Sequence, residues 1–357
     1  MSVYESTSGF ESILGQEQPI RLLNALLQNG TIPHALLFIG IEGVGKQTAA
    51  MALAMACNCV ATEQEHLSEG MKTQSDCYTA SDQITTISPC GRCKSCRKIE
   101  SGNHPDIILL KPSGPFIRIG QIRDLCGTLA MKPYEARLRV VIISDAQAMN
   151  PSAGNALLKV LEEPPDRTIL VLTALQTSDL LPTILSRCQH IRFNPVSRKN
   201  LESLLIQRHK ANPDEAKIIA IMANGSVSKA FAMISPTKRA NWINRRIWLI
   251  DEVEFLPLRS IGSRMAFAEK LSKSKEILAE SLEVIKSWFR DLVVYKYHPG
   301  KIINRDLNDR IQCASKKMEV TSLISKIDDI ESAQKNIQAN TNVRLTLEVL
   351  IMRLAKV

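Results

Sequence analysis

Cys90-Gly91-Arg92-Cys93-Lys94-Ser95-Cys96 places three thiols at three-residue spacing. In a reducing compartment that spacing reads as a zinc knuckle before it reads as a disulfide. Structural zinc takes four ligands, so Cys90, Cys93 and Cys96 need one more. Cys57, Cys59 and Cys77 are each candidates. The plain alternative is three unliganded thiols packed as small apolar groups. The basic setting of Arg92, Lys94, Arg97 and Lys98 speaks against it, because exposed thiols oxidise. The expected cofactor is a structural Zn2+ with no open coordination position.

A second chemical element is Gly40-Ile41-Glu42-Gly43-Val44-Gly45-Lys46. Gly40, Gly43 and Gly45 let backbone N–H groups curl around a phosphate, and the following helix N-terminus favours its charge. Lys46 reaches the outer phosphates. The next position calls for Ser or Thr to ligate magnesium, and it holds Gln47. Thr48 comes one residue late, rotated by roughly 100° around the helix. An Asp followed by Glu is expected at the end of a neighbouring strand, for magnesium and for activating water. The chain offers Ser144-Asp145 there. Both departures point to poor magnesium chemistry and little hydrolysis, although backbone donors alone can still hold ATP or ADP.

These groups need a scaffold. His34–Ile41, Leu138–Ser144 and Thr168–Thr173 read as buried strands, rich in Val, Ile and Leu without alternation. Gln47–Ala56 and Pro151–Glu163 read as helices between them, the second capped by Asn150 and stopped by Pro164-Pro165. This order predicts an α/β unit with a parallel sheet covered on both faces. Residues 61–89 are polar and read as an insertion or loop. Beyond Asn194-Pro195 strand signals fade. Two or three short helices are expected over 196–235, broken near Asn212-Pro213 and Asn224-Gly225. Longer helices follow Ser235-Pro236, such as Glu276–Tyr295 and Val343–Leu354.

The 357 residues suggest two or three domains, and 45% apolar with 23% charged residues excludes wholesale disorder. No run approaches about 18 apolar residues, so no membrane span is expected. The N-terminus lacks the pattern of a signal peptide, and a cytoplasmic location is expected. The net charge of +9 is uneven: residues 1–193 carry 17 basic and 18 acidic side chains, residues 194–357 carry 28 and 18. A basic half hints at a nucleic-acid partner; a solvated helical surface explains it equally.

Several segments together resemble the clamp-loader branch of the AAA+ proteins, subunits of bacterial DNA polymerase III. They are Ile13-Leu14-Gly15-Gln16, His34–Phe38, the phosphate loop, Cys90–Cys96 and His104-Pro105-Asp106. Asn155–Pro165, with its Leu-Glu-Glu-Pro-Pro ending, and Leu185-Ser186-Arg187-Cys188 complete the set. The resemblance is dense over about residues 10–193 and thin beyond. It implies an AAA+ P-loop module over 1–193 with a zinc-binding insertion at about 59–98. A helical lid over 194–237 and an all-α collar over 238–357 follow, the collar assembling a five-subunit ring.

The implied partners are gamma/tau and delta subunits and, through the complex, the sliding clamp and primed DNA in replication. The implied role is that of a subunit with little or no ATPase of its own. The family's arginine finger falls on Arg187, reaching the nucleotide of the adjacent subunit, where a guanidinium neutralises charge on the transferred phosphoryl. The family's first zinc ligand falls on Cys59, although the spacer to Cys90 is longer than the family's. The polar sensor position reads Ala174, beside Thr173. The lid motif reads Gly225-Ser226-Val227-Ser228, and Lys229 after it reads as a solvated helix charge. A second reading is an active gamma/tau-like ATPase using Lys46, Thr48 and Asp145; Gln47 and Ser144 stand against it. The basic excess lies outside the module, so it fits subunit packing, solubility or diffuse attraction to DNA better than a specific grip.

Overall fold

The computed structural model describes residues 9–61, 88–273, 275–339 and 341–356. The polar stretch read as an insertion, with Cys77 inside it, falls outside the described residues over 62–87. The chain forms two compact units: Met1–Asn200 with Gly225–Ser228, and Leu201–Asn224 with Lys229–Val357.

The first unit is built on five parallel strands: β1 (Ala35–Ile39), β2 (Ile107–Leu110), β3 (Arg139–Ile143), β4 (Thr168–Ala174) and β5 (Gln189–Arg192). Their order is β2-β3-β4-β1-β5, with Leu37 opposite Leu172 on one side and His190 on the other. Strands β1, β3 and β4 are buried at every position, which is why their sequences run apolar without alternation. Alternate side chains feed two cores. Leu36, Phe38, Val140, Ile142, Ile169 and Val171 pack on one face with α1 (Glu17–Gln28) and α2 (Lys46–Asn58). Leu37, Ile39, Val141, Ile143, Leu170 and Leu172 pack on the other, against helices described below.

The first-face core also takes in Cys96 and Ile99 of α3 (Lys94–Glu100). The second is covered by α4 (Ile119–Leu129), α5 (Pro151–Glu162) and the single turn α6 (Pro182–Leu185). Asn150 caps α5 by accepting from the Ala153 N–H at 2.8 Å, with Pro151 at the first helical position. Edge strands β2 and β5 escape the sequence pattern. Both are four residues long, and three of the four residues of β5 are exposed.

The second unit is helical, as expected. Helices α7 (Arg198–His209), α8 (Pro213–Met222) and α9 (Val227–Ile234) are short. They are followed by α10 (Pro236–Glu254), α11 (Ile261–Ser272) and the long α12 (Lys275–Tyr297). The chain closes with α13 (Asn308–Lys317), α14 (Val320–Gln338) and α15 (Val343–Leu354). Leu278, Leu282, Ile285, Trp288, Phe289 and Leu292 form the buried stripe of α12, at the 3–4 residue recurrence of a helix face. A buried Asp291 fixes the turn after that helix by accepting from the Ile303 and Asn304 N–H groups at 2.9 and 2.7 Å. Among the described residues no helix is long and apolar enough to cross a membrane.

Candidate functional site

The phosphate loop joins β1 to α2, the place where a parallel sheet offers backbone donors at a helix N-terminus. Gly43 and Gly45 hold φ of +77° and +101°, a left-handed conformation open to glycine at little cost. The sheet registers the loop on both sides. The Gly40 N–H donates to Ala174 O at 3.1 Å, and the Phe193 N–H donates to Ile39 O at 2.7 Å.

Lys46 is buried and turned onto the loop itself, donating to Gly40 O and, at 2.9 Å, to Ile41 O. Burial pulls its ammonium below the usual lysine range, partly offset by the nearby charges of Asp145 and Glu42. Gln47 and Thr48 are exposed at the start of α2. Ser144 is buried at the end of β3, and Asp145 follows it exposed, at φ +54°. The Asp145 N–H donates to Thr173 Oγ1 at 3.1 Å, and its carboxylate accepts from Gln147 Nε2 at 3.3 Å. Lys46 and Asp145 thus share one electrostatic neighbourhood, while Gln47 and Ser144 occupy the positions where magnesium ligands are needed.

Segment Gly225–Ser228 belongs to the same unit. The Ser228 N–H donates to Gly43 O at 3.2 Å, and a Cβ on Gly43 would overlap Ser226 Oγ. The Gly-Ser-Val-Ser sequence therefore touches the loop, but with serines and no guanidinium. Gln16 secures the neighbouring chain. Its Nε2 donates to Asn194 O at 2.6 Å and its Oε1 accepts from the Asn194 N–H at 3.1 Å.

Cys59, Cys90, Cys93 and Cys96 bring their sulfurs within 4.8 Å of one another. A zinc tetrahedron with bonds of about 2.3 Å needs sulfurs about 3.8 Å apart, so the set fits the ion. A ladder of backbone donors supports it. The Cys90 N–H points to Cys59 Sγ at 3.3 Å, Cys93 N–H to Cys90 Sγ at 3.3 Å, and Cys96 N–H to Cys93 Sγ at 3.4 Å. Burial pushes the Cys93 thiol up. Donors from the Cys96 and Val60 backbone and bonds with the Cys96 and Cys90 side chains outweigh that and hold it below the usual thiol range. Cys57, by contrast, is buried in the first core, outside the cluster, and burial pushes its thiol up to about 12. Of the alternatives for the fourth thiol, the described residues bring Cys59 to the other three.

Two further anchors surround this knuckle. Lys98 on α3 pairs with Glu135 at 2.6 Å. Asp106 accepts from the N–H groups of Tyr134, Glu135 and Ala136 at 2.8, 2.8 and 2.9 Å, and pairs with the buried Arg139 at 3.5 Å. Burial pushes the Asp106 carboxyl up, but the three N–H donors and Arg139 outweigh it, and its pKa lies below the usual carboxylate range. The sequence pattern marks Asp106 without revealing that it organises a loop some 30 residues on.

Arg187 stands between α6 and β5, partly exposed. It is tied down at its base, donating to Thr183 O at 3.0 Å and Ser186 Oγ at 3.2 Å, and pairing with Glu162 at 2.6 Å. Glu162 lies in the Leu-Glu-Glu-Pro-Pro segment, 25 residues before Arg187, and the two segments meet only in the fold.

A family described as "DNA polymerase III, delta subunit" matches residues 15–197, and one described as "DNA polymerase III, delta subunit, C terminal" matches residues 240–356. The DNA polymerase III subunit delta' of Bacillus subtilis is 30% identical over 95% of this chain and 96% of its own length. That of Pseudomonas aeruginosa is 36% identical over 51% of this chain and 48% of its own. The subunit tau of Bacillus subtilis is 24% identical over 97% of this chain and 61% of its own length.

Proposed function

Because this chain belongs to the delta-prime family of DNA polymerase III subunits, we propose that it is a clamp-loader subunit that hydrolyses little or no ATP and supplies Arg187 to a neighbour's ATPase. In this reading gamma/tau and delta subunits are its partners. The sliding clamp and primed DNA are reached through the assembly, in the cytoplasm. The lid over 194–237 and the collar over 238–357 follow the module.

The observation that carries the reading is the pair of residues flanking the loop chemistry: Gln47 at the start of α2 and Ser144 at the end of β3 stand where magnesium chemistry needs a hydroxyl and a carboxylate. Without those ligands the loop supports binding of ATP or ADP through its backbone donors and Lys46 better than hydrolysis. Arg187, in contrast, is held at the surface with donors to spare. A zinc ion held by Cys59, Cys90, Cys93 and Cys96 would act as a structural cross-link, closing the long excursion between α2 and α3.

Two ATPase measurements test this. The isolated chain is expected to hydrolyse ATP no faster than a chain-free control. Assembled with its partner subunits, clamp and primed DNA, the Arg187→Ala complex is expected to hydrolyse at least about tenfold more slowly than the unaltered one, a modest share of what a finger in trans can supply. Motor-like turnover by the isolated chain contradicts the first part; an unchanged Arg187→Ala rate contradicts the second.

A further inference from the structure

Glu162 is the last residue of α5, and Glu163 follows it as the cap. A carboxylate there faces the negative end of the helix dipole, which disfavours it. Its partner does not compensate in stability. The Glu162 and Arg187 side chains are 50% and 35% exposed, and such exposed pairs contribute little while costing side-chain entropy. The two charges are nevertheless brought together, at 2.6 Å, and the ion pair converges with two hydrogen bonds on one guanidinium. Glu162 Oε1 faces Nη2, whereas Nη1 donates to Thr183 O and Ser186 Oγ. Among the described residues the Nε–H of Arg187 has no partner, and Nη2 meets only the Glu162 carboxylate, so the guanidinium keeps donors for an external anion. Three anchors from α5 and α6 thus leave an otherwise flexible side chain in one pose.

We propose that Glu162 is a positioning residue that holds the Arg187 guanidinium in the pose in which its remaining donors meet the neighbouring subunit's nucleotide. This rests on the finger reading of Arg187. Without the carboxylate, the side chain pivots about its Nη1 contacts and must be ordered at each turnover. A misplacement on the 1 Å scale is enough to cost up to about 100-fold in rate.

The test is the stimulated ATPase of the assembled loader carrying Glu162→Ala, Glu162→Gln, Arg187→Ala or the double variant, after gel filtration has shown that each complex assembles. Glu162→Ala is expected to lower kcat about fivefold with KM for ATP moving less than about twofold. Glu162→Gln, which keeps an acceptor oxygen on the same stem, is expected to recover at least about half the loss. The double variant should match Arg187→Ala within about twofold, since both changes disable one group. If Glu162→Ala prevents assembly, Glu162→Gln takes its place in the cycle. An unchanged or raised kcat on removal of the carboxylate, or a double variant whose losses multiply, overturns the positioning role. Should Arg187→Ala itself leave the rate unchanged, the finger reading falls and this inference with it. A slow Arg187→Ala beside a normal Glu162→Ala sinks only the role of Glu162.

Discussion

Cys59 lies 31 residues before Cys90, and what joins it to the knuckle is a contact, the Cys90 N–H aimed at its sulfur. Purified chain is therefore expected to carry one zinc. Cys59→Ser or Cys93→Ser should reduce that to well under half, and Cys57→Ser should retain it; elemental analysis checks all three. Asp106 supports a pH prediction. Its folded pKa is depressed, so its stabilisation is complete above the unfolded value of about 3.9 and is lost as pH falls through the folded value. Asp106→Asn weakens three charge-assisted hydrogen bonds and is expected to cost about 2 kcal/mol at pH 7. Denaturant titrations of the two chains should differ by that amount from neutrality down to about pH 4 and begin to converge only below it, as pH falls toward the depressed folded pKa.

At the scale of elements, the loop between β1 and α2 is held by the segment that touches it. Gly43→Ala combines a φ of +77° with an overlap on Ser226 Oγ. It should destabilise the chain by about 1–3 kcal/mol, seen as a lowered thermal midpoint. Full stability in that variant would mean that the contact with Gly225–Ser228 is loose. The core strands β1, β3 and β4 and helix α5 are legible in the sequence because burial on both faces and a Asn150-Pro151 start leave an unambiguous pattern. Strands β2 and β5 are not, since an edge strand such as Gln189-His190-Ile191-Arg192 buries only Ile191. The site divides the same way. Spacing within one segment announces Cys90, Cys93, Cys96 and the glycines of the loop. The meeting of Glu162 with Arg187, or of Asp106 with the N–H groups of 134–136, depends on how distant segments pack, which no local pattern encodes.

At the scale of the whole molecule, the chain is proposed to separate the ability to hold a phosphate from the ability to cleave one. The glycine loop and Lys46 are kept, the magnesium positions are Gln47 and Ser144, and Arg187 is presented outward on a restrained base. The positive charge follows a different division, with the excess of basic residues falling after residue 193. If that excess serves diffuse attraction to DNA rather than subunit packing or solubility, binding should weaken steeply with added salt, whereas the proposed finger would act at contact range and should not. On the proposed function, this subunit's catalytic contribution is made to its neighbour. The most direct measurement is the clamp- and DNA-stimulated ATPase rate of the assembled loader with and without Arg187→Ala. Intact assembly with a rate at least about tenfold lower is expected; intact assembly with an unchanged rate would contradict a finger at Arg187.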